Sequence, residues 1–157
     1  MNVVIDTQTL LDWRFFRDAS CAAWQPPENG CWLATAAMRD ELAHVLARAW
    51  PARWATPADE VLAFFDQHAT LFAPPVLAAH QLLRCSDPDD QKFIDLALAR
   101  QPALLISRDR ALLKLARPAA LRGVQVLPPE RWPGFTAPAG GATSASPAAA
   151  APADPPP

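Results

Sequence analysis

Ser86-Asp87-Pro88-Asp89-Asp90-Gln91-Lys92-Phe93-Ile94-Asp95-Leu96-Ala97-Leu98-Ala99, followed by Pro102-Ala103-Leu104-Leu105-Ile106-Ser107-Arg108-Asp109, is the stretch that decides the fold. Three acids crowd into Asp87 to Asp90, and a helix follows. Phe93, Ile94, Ala97 and Leu98 fall on one helical face. Asp87, Asp89 or Asp90 can cap its first turn, where carboxylates suit the positive end of the helix dipole. Ala103 to Ile106 is then an apolar run of strand length, stopped by the charged turn Arg108-Asp109-Arg110. One acid cluster opens a helix, and a further acid sits where the next strand ends.

The same pattern appears at the N-terminus, where Asp6 ends the apolar run Val3-Val4-Ile5. Strands alternating with helices build a parallel sheet whose ligand site lies at the strands' carboxyl ends. Asp6 and Asp109 are therefore expected on one edge of such a sheet. The plainer reading of Asp87 to Asp90 is a solvated, capped loop.

Further elements follow in order. Asn2 to Ile5 reads as a central strand and Thr7 to Phe16 as a helix. Asp18 to Gly30 reads as a helix fragment ending in a turn, and Cys31 to Ala34 as a short strand. Thr35 is expected to cap a helix running to about Ala49, with Met38, Leu42, Val45, Leu46 and Ala49 as its apolar face. Thr56-Pro57-Ala58-Asp59 starts another, which runs to about His68. Leu71 and Phe72 suggest a brief strand, Ala111 to Arg117 a helix, and Gly123 to Leu127 a last strand.

Four segments, taken together, resemble the PIN domain: Asp6-Thr7 after an apolar strand, Met38-Arg39-Asp40-Glu41-Leu42, Asp87-Pro88-Asp89-Asp90-Gln91-Lys92-Phe93, and Ser107-Arg108-Asp109. Within that family the sequence looks most like the branch of toxins from toxin–antitoxin pairs (VapC-like proteins). The resemblance spans roughly Asn2 to Trp132. It implies a three-layer α/β/α fold, with a central, mostly parallel sheet flanked by helices. Residues 1–132 would form the nuclease domain. Residues 133–157 would be a disordered Ala/Pro-rich tail, since from about Thr136 the chain has no large apolar residue to bury.

The resemblance implies that Asp6, Glu41, Asp90 and Asp109 are both catalytic and metal-binding, with Asp95 as an auxiliary acid. Gln8 and Gln91 stand where the family often has Asn, and Ser107 where it often has Thr. Thr7 and Ser107 could orient a carboxylate or a water, or simply close a strand end. Asp40 is an alternative ligand to Glu41.

Such acids suit phosphodiester hydrolysis, which needs an activated water and charge stabilisation. Mg²⁺ or Mn²⁺ is the expected cofactor, because hard cations prefer oxygen ligands. At about 4 Å each like-charged pair costs roughly 4 kcal/mol at an effective dielectric near 20, so convergence without a cation is hard to explain. The expected partners are an RNA substrate and a small cognate antitoxin, and the resemblance allows a homodimer.

Net charge is −2, so an RNA partner would have to be held by a local patch. Arg39, Arg84, Lys92, Arg108 and Arg110 flank the acids and are candidates for phosphate contacts. Glu41 and His44 have the E-x-x-H spacing of di-iron bundles, but with one copy only His44 reads as a structural or surface histidine. Trp13 and Trp24 read as core residues, or as rings that stack on bases.

Three cysteines without a C-x-x-C argue against a disulfide framework or zinc site. No apolar run approaches membrane-spanning length and the N-terminus lacks a signal-peptide pattern, so the cytoplasm is the expected compartment. Two competing functions are a catalytically silent PIN scaffold that binds RNA or protein, and a phosphatase of the haloacid dehalogenase type. Against the latter, Asp6-Thr7-Gln8-Thr9 lacks the second Asp of D-x-D-x-T.

Overall fold

The computed structural model describes residues 1–27, 31–51, 53–54 and 56–135. The elements run β1 (Asn2–Ile5), α1 (Thr7–Arg14), β2 (Leu33–Thr35), α2 (Ala36–Leu46), α3 (Ala58–His68), β3 (Thr70–Phe72), α4 (Gln91–Ala99), β4 (Ala103–Ile106), α5 (Arg110–Leu113), α6 (Ala116–Ala120) and β5 (Val124–Leu127). Strands and helices alternate as the apolar runs imply.

All strand pairs are parallel. β1 pairs with β4, which pairs with β5, and β2 pairs with β3. A single bridge, Val3 to Trp32, joins the two groups, helped by Val3 N–H donating to the Cys31 carbonyl at 2.7 Å. The strand order is thus β3-β2-β1-β4-β5.

Val3, Val4 and Ile5 of β1 and every residue of β4 are buried, so helices cover both sheet faces there. β5 lies at an edge and alternates, with Gln125 exposed between buried Val124 and Val126. α4 packs on β1, β4 and β2. It buries Leu96 as well as the expected Phe93, Ile94, Ala97 and Leu98, because it is enclosed on more than one side.

Several element ends differ from the sequence reading, each for a local reason. α2 stops at Leu46, three residues short of the expected end. Pro57 is the residue before α3, and the Thr56 hydroxyl donates to the Phe15 carbonyl at 3.2 Å instead of capping that helix. The stretch expected as a helix from Asp18 to Gly30 contains only the 3₁₀ turn Ala19–Cys21, and residues 28–30 lie outside the described residues. The single helix expected over Ala111 to Arg117 is two short ones, α5 and α6. Pro118 explains the break: its ring collides with the carbonyl four residues back, at Lys114, where α5 ends.

The packed chain runs past the boundary expected at Trp132. Phe135 is buried, with its ring centroid 4.9 Å from Trp132 and 6.1 Å from Trp13. Trp13 and Trp24 belong to this core, 5.4 Å apart, and Trp24 in turn meets Trp132 at 4.6 Å. Gly134 makes the closure possible: its φ is +86°, and an added Cβ would stand 2.3 Å from Trp24 Cδ1. The expected tail from Thr136 lies outside the described residues.

This boundary is testable by truncation. A chain ending at Phe135 is expected to melt with the full chain. One ending at Trp132 loses a buried Phe, which costs about 3 kcal/mol, and should melt roughly 10 °C lower. Equal melting of the two truncated chains would remove Phe135 from the core.

Candidate active site

The parallel register sets the site. Ile5 pairs with Ile106, so the next residues, Asp6 and Ser107, leave the sheet side by side at its carboxyl edge. Asp6 N–H donates to the Ile106 carbonyl at 3.1 Å and Ser107 N–H to that of Leu127 at 3.0 Å.

Asp6, 4 % exposed, caps α1 by accepting from Thr9 N–H at 2.6 Å on Oδ1. Its Oδ2 accepts from the fully buried Ser107 hydroxyl. The same hydroxyl accepts from Asp109 N–H at 2.9 Å, so Ser107 links two of the acids. Asp109 is exposed and caps α5, accepting from Ala111 N–H at 2.6 Å and Leu112 N–H at 3.3 Å. Glu41, half-buried on α2, is ion-paired with Lys92. Asp90 stands apart from these. Asp87 caps the turn Pro88–Asp90 by accepting from Asp89 N–H at 2.9 Å, while Asp90 at the start of α4 makes no capping bond. Among the described residues its carboxylate accepts no hydrogen bond.

Asp6, Glu41, Asp90 and Asp109 line one cleft of about 210 Å³, together with Thr7 and Phe93. A larger hollow of about 370 Å³ lies by Trp13, Arg14 and Trp24, and none of the four acids lines it. Sequence reasoning missed Arg48, which also lines the acid cleft. The signal was available, since Glu41, Val45 and Arg48 fall at i, i+4 and i+7 of the helix expected to run to about Ala49. Trp50, just beyond α2, lines the cleft too and carried no such signal.

Other candidates have structural duties. Asp95 accepts from Gln91 Nε2 at 2.8 Å and does not line the cleft, and Gln91 also donates to the Leu83 carbonyl. Arg39 holds Asp66 with two bonds of 2.6 Å, tying α2 to α3. Arg108 reaches Asp12 at 2.5 Å, Ser20 at 2.5 Å and Glu130 at 2.6 Å. It staples α1 and the turn after it to the turn Pro129–Arg131 and is unavailable as a phosphate contact. Arg84 and Arg110 are exposed, as is His44, which does not line the cleft.

Burial pushes the Asp6 carboxyl up to about 6, against the hydrogen bonds from Ser107 and Thr9 that favour its charged form. Asp90 is also pushed up to about 6, by burial first and then by the charges of Asp109, Asp87 and Asp6. The acids are therefore close enough to feel one another. The donors are all oxygens, as a hard divalent cation prefers. Among the described residues, no three His, Cys, Asp or Glu side chains are grouped so as to hold a metal ion. Mg²⁺ usually keeps several waters and is bound through one or two carboxylates.

A model of the PIN domain matches residues 2–111. The chain belongs to the PIN domain family. PIN domains are typically nucleases that bind nucleic acids and use divalent metals. No curated protein and no solved structure matches the chain. No helix among the described residues is long and apolar enough to cross a membrane.

The raised carboxyls of this PIN domain define a pH test. A carboxyl whose folded pKa lies above its unfolded value of 3.8 adds stability below about pH 3.8 and loses it as pH rises through about 6. Asp90→Asn should therefore stabilise the metal-free protein at pH 7.5 by about 1 kcal/mol, after discounting for solvent screening. The gain should vanish at pH 4. Denaturant unfolding in EDTA at the two pH values measures it. A gain that is equal at both would sever Asp90 from its acidic neighbours.

Proposed function

We propose that the chain is a Mg²⁺- or Mn²⁺-dependent endoribonuclease and the toxin of a type II toxin–antitoxin pair, with Asp6, Glu41, Asp90 and Asp109 as its catalytic, metal-binding acids. One observation carries the reading. Asp90 faces three like charges, makes no capping bond, and lines the cleft shared with the other acids. A half-buried carboxylate in that setting, without a hydrogen-bond donor among the described residues, suits a cation.

A bound divalent metal supplies an activated water and neutralises charge on the phosphate. The chain's own residues prepare the place. Ser107 and Thr9 fix both oxygens of Asp6 and leave each a further lone pair. The α5 amides hold the Asp109 carboxylate at the mouth of the cleft. Lys92 is ion-paired with Glu41 and turns it toward α4. Arg48, exposed on the cleft wall, offers a cation for a substrate phosphate. The toxin role rests on the resemblance of the four acid motifs and predicts a small antitoxin that occludes this cleft. The cytoplasm is the compartment in which such a pair would act.

A second reading, a catalytically silent PIN scaffold, is favoured by one feature. Lys92 already neutralises Glu41, while Asp6 and Asp109 are used as caps. Cleavage of single-stranded RNA in Mn²⁺, with and without EDTA, separates the two. The parent should cut only without EDTA. Asp109→Asn should lower the rate about a hundredfold or more, since several kcal/mol of charge stabilisation is removed. Its circular dichroism should be unchanged, because Asn caps a helix nearly as well as Asp. Induced expression of the parent, but not of Asp109→Asn, should arrest growth of a bacterial host. RNA left intact by the metal-loaded parent would establish the scaffold reading.

A further inference from the structure

The acid cleft does not end at Trp50. The Trp50 ring centroid lies 5.4 Å from both Phe15 and Phe16, and Phe16 lies 4.8 Å from Trp54. Phe16 and Trp54 line a second open hollow of about 440 Å³, with Arg17 and Arg53 on its walls. Trp50 thus joins the cleft to this hollow in one continuous run. Phe16, Trp50 and Trp54 are half-buried, unlike the core rings Trp13, Trp24 and Trp132, which are at most 8 % exposed.

Three arginines lie along this run. Arg17, Arg48 and Arg53 are exposed, and none makes an ion pair among the described residues, whereas Arg39 and Arg108 are committed to acids. Arg53 lies over the Trp54 ring at 5.3 Å. Glu60 also lines the hollow, so its charge opposes two arginines there and leaves the wall cationic. Arg17 has a φ of +54°, a left-handed conformation that Gly or Asn adopts more readily.

We propose that Trp50, Phe16 and Trp54, with Arg48, Arg17 and Arg53, form a track that carries a single strand of RNA into the acid cleft. This rests on the nuclease reading above. Half-exposed aromatic rings accept bases of any sequence, and guanidiniums without an acid partner among the described residues accept the phosphates between them. The acids at one end repel phosphate unless a cation is present, so the track supplies the affinity that the cleft lacks. An apolar segment of a protein partner would not call for three unpaired arginines, and a duplex would not present its bases to the rings.

The test uses the Asp109→Asn background, which keeps RNA intact, and a fluorescein-labelled single-stranded RNA of twelve nucleotides followed by anisotropy in Mn²⁺. The double variant Arg17→Asn/Arg53→Gln should weaken binding at least about tenfold and lower the salt slope by about 1.4, near 0.7 for each phosphate no longer neutralised. Asn at position 17 suits the left-handed backbone, so thermal melting should not fall. Trp54→Leu keeps apolar packing but removes the flat ring; it should weaken binding about tenfold with the salt slope unchanged. In the cleaving parent the same substitutions should raise KM for the twelve-nucleotide RNA about tenfold and leave kcat within about twofold, since none of the three residues lines the acid cleft. If the parent binds and cuts RNA but all variants match it, the track is wrong and the surface belongs to a protein partner. If the parent neither binds nor cuts RNA, the nuclease reading falls first and the track falls with it.

Discussion

The pairing of Ile5 with Ile106 is the constraint on which the rest depends. Parallel neighbours share a carboxyl edge, so the residue after each strand emerges beside the other. Both faces of β1 and β4 are covered, so a slip of one residue would exchange side chains between two packed layers and misfit both. Packing and the ladder hydrogen bonds together hold the register. The position of Asp6 beside Ser107 follows from it. The Ser107 hydroxyl then converts it into chemistry. It donates to Asp6 and accepts from Asp109 N–H, so that two acids from distant parts of the chain share one buried oxygen.

Opposing forces meet at those acids. Helix N-termini and capping amides favour an ionised carboxylate, while burial and like charges oppose one. At Asp6 burial prevails despite two hydrogen bonds, and the carboxyl rises to about 6. At Asp90 no capping bond helps, and neighbouring acids add to the burial. The fold thus holds charge it does not itself neutralise, as expected where function is maintained at some cost to stability. In the proposed nuclease a hydrated divalent cation relieves both sites together.

Much of this was legible in the sequence because it depends on local pattern. The apolar runs that became β1, β4 and β5 announce themselves, and acids at strand ends point to one sheet edge. The amphipathic face of α4 was also plain. What was not legible depends on tertiary choice. Nothing local says which of Asp87, Asp89 and Asp90 will cap and which will be left unpartnered; the 3₁₀ turn Pro88–Asp90 decides it. Arg108 lies beside an acid motif and looks like a phosphate ligand, yet folding brings Asp12, Ser20 and Glu130 to it. Phe135 follows a Pro-Gly pair that reads as the start of a tail. Only the Trp24 ring, against which Gly134 packs, shows why the chain stays on the surface for three more residues.

Charge shows the same division between what composition reports and what folding arranges. A net charge of −2 gives no hint of a polyanionic partner. Arg39, Arg108 and Lys92 are consumed by acids and hold elements together. Arg17, Arg48 and Arg53, which make no ion pair among the described residues, stand near half-buried aromatic rings and the cleft where the acids collect. Basic and acidic groups thus stand on neighbouring stretches of the surface. A phosphate chain on the arginines and a cation on the acids would satisfy both, and one substrate strand crossing the boundary at Trp50 would need the two together.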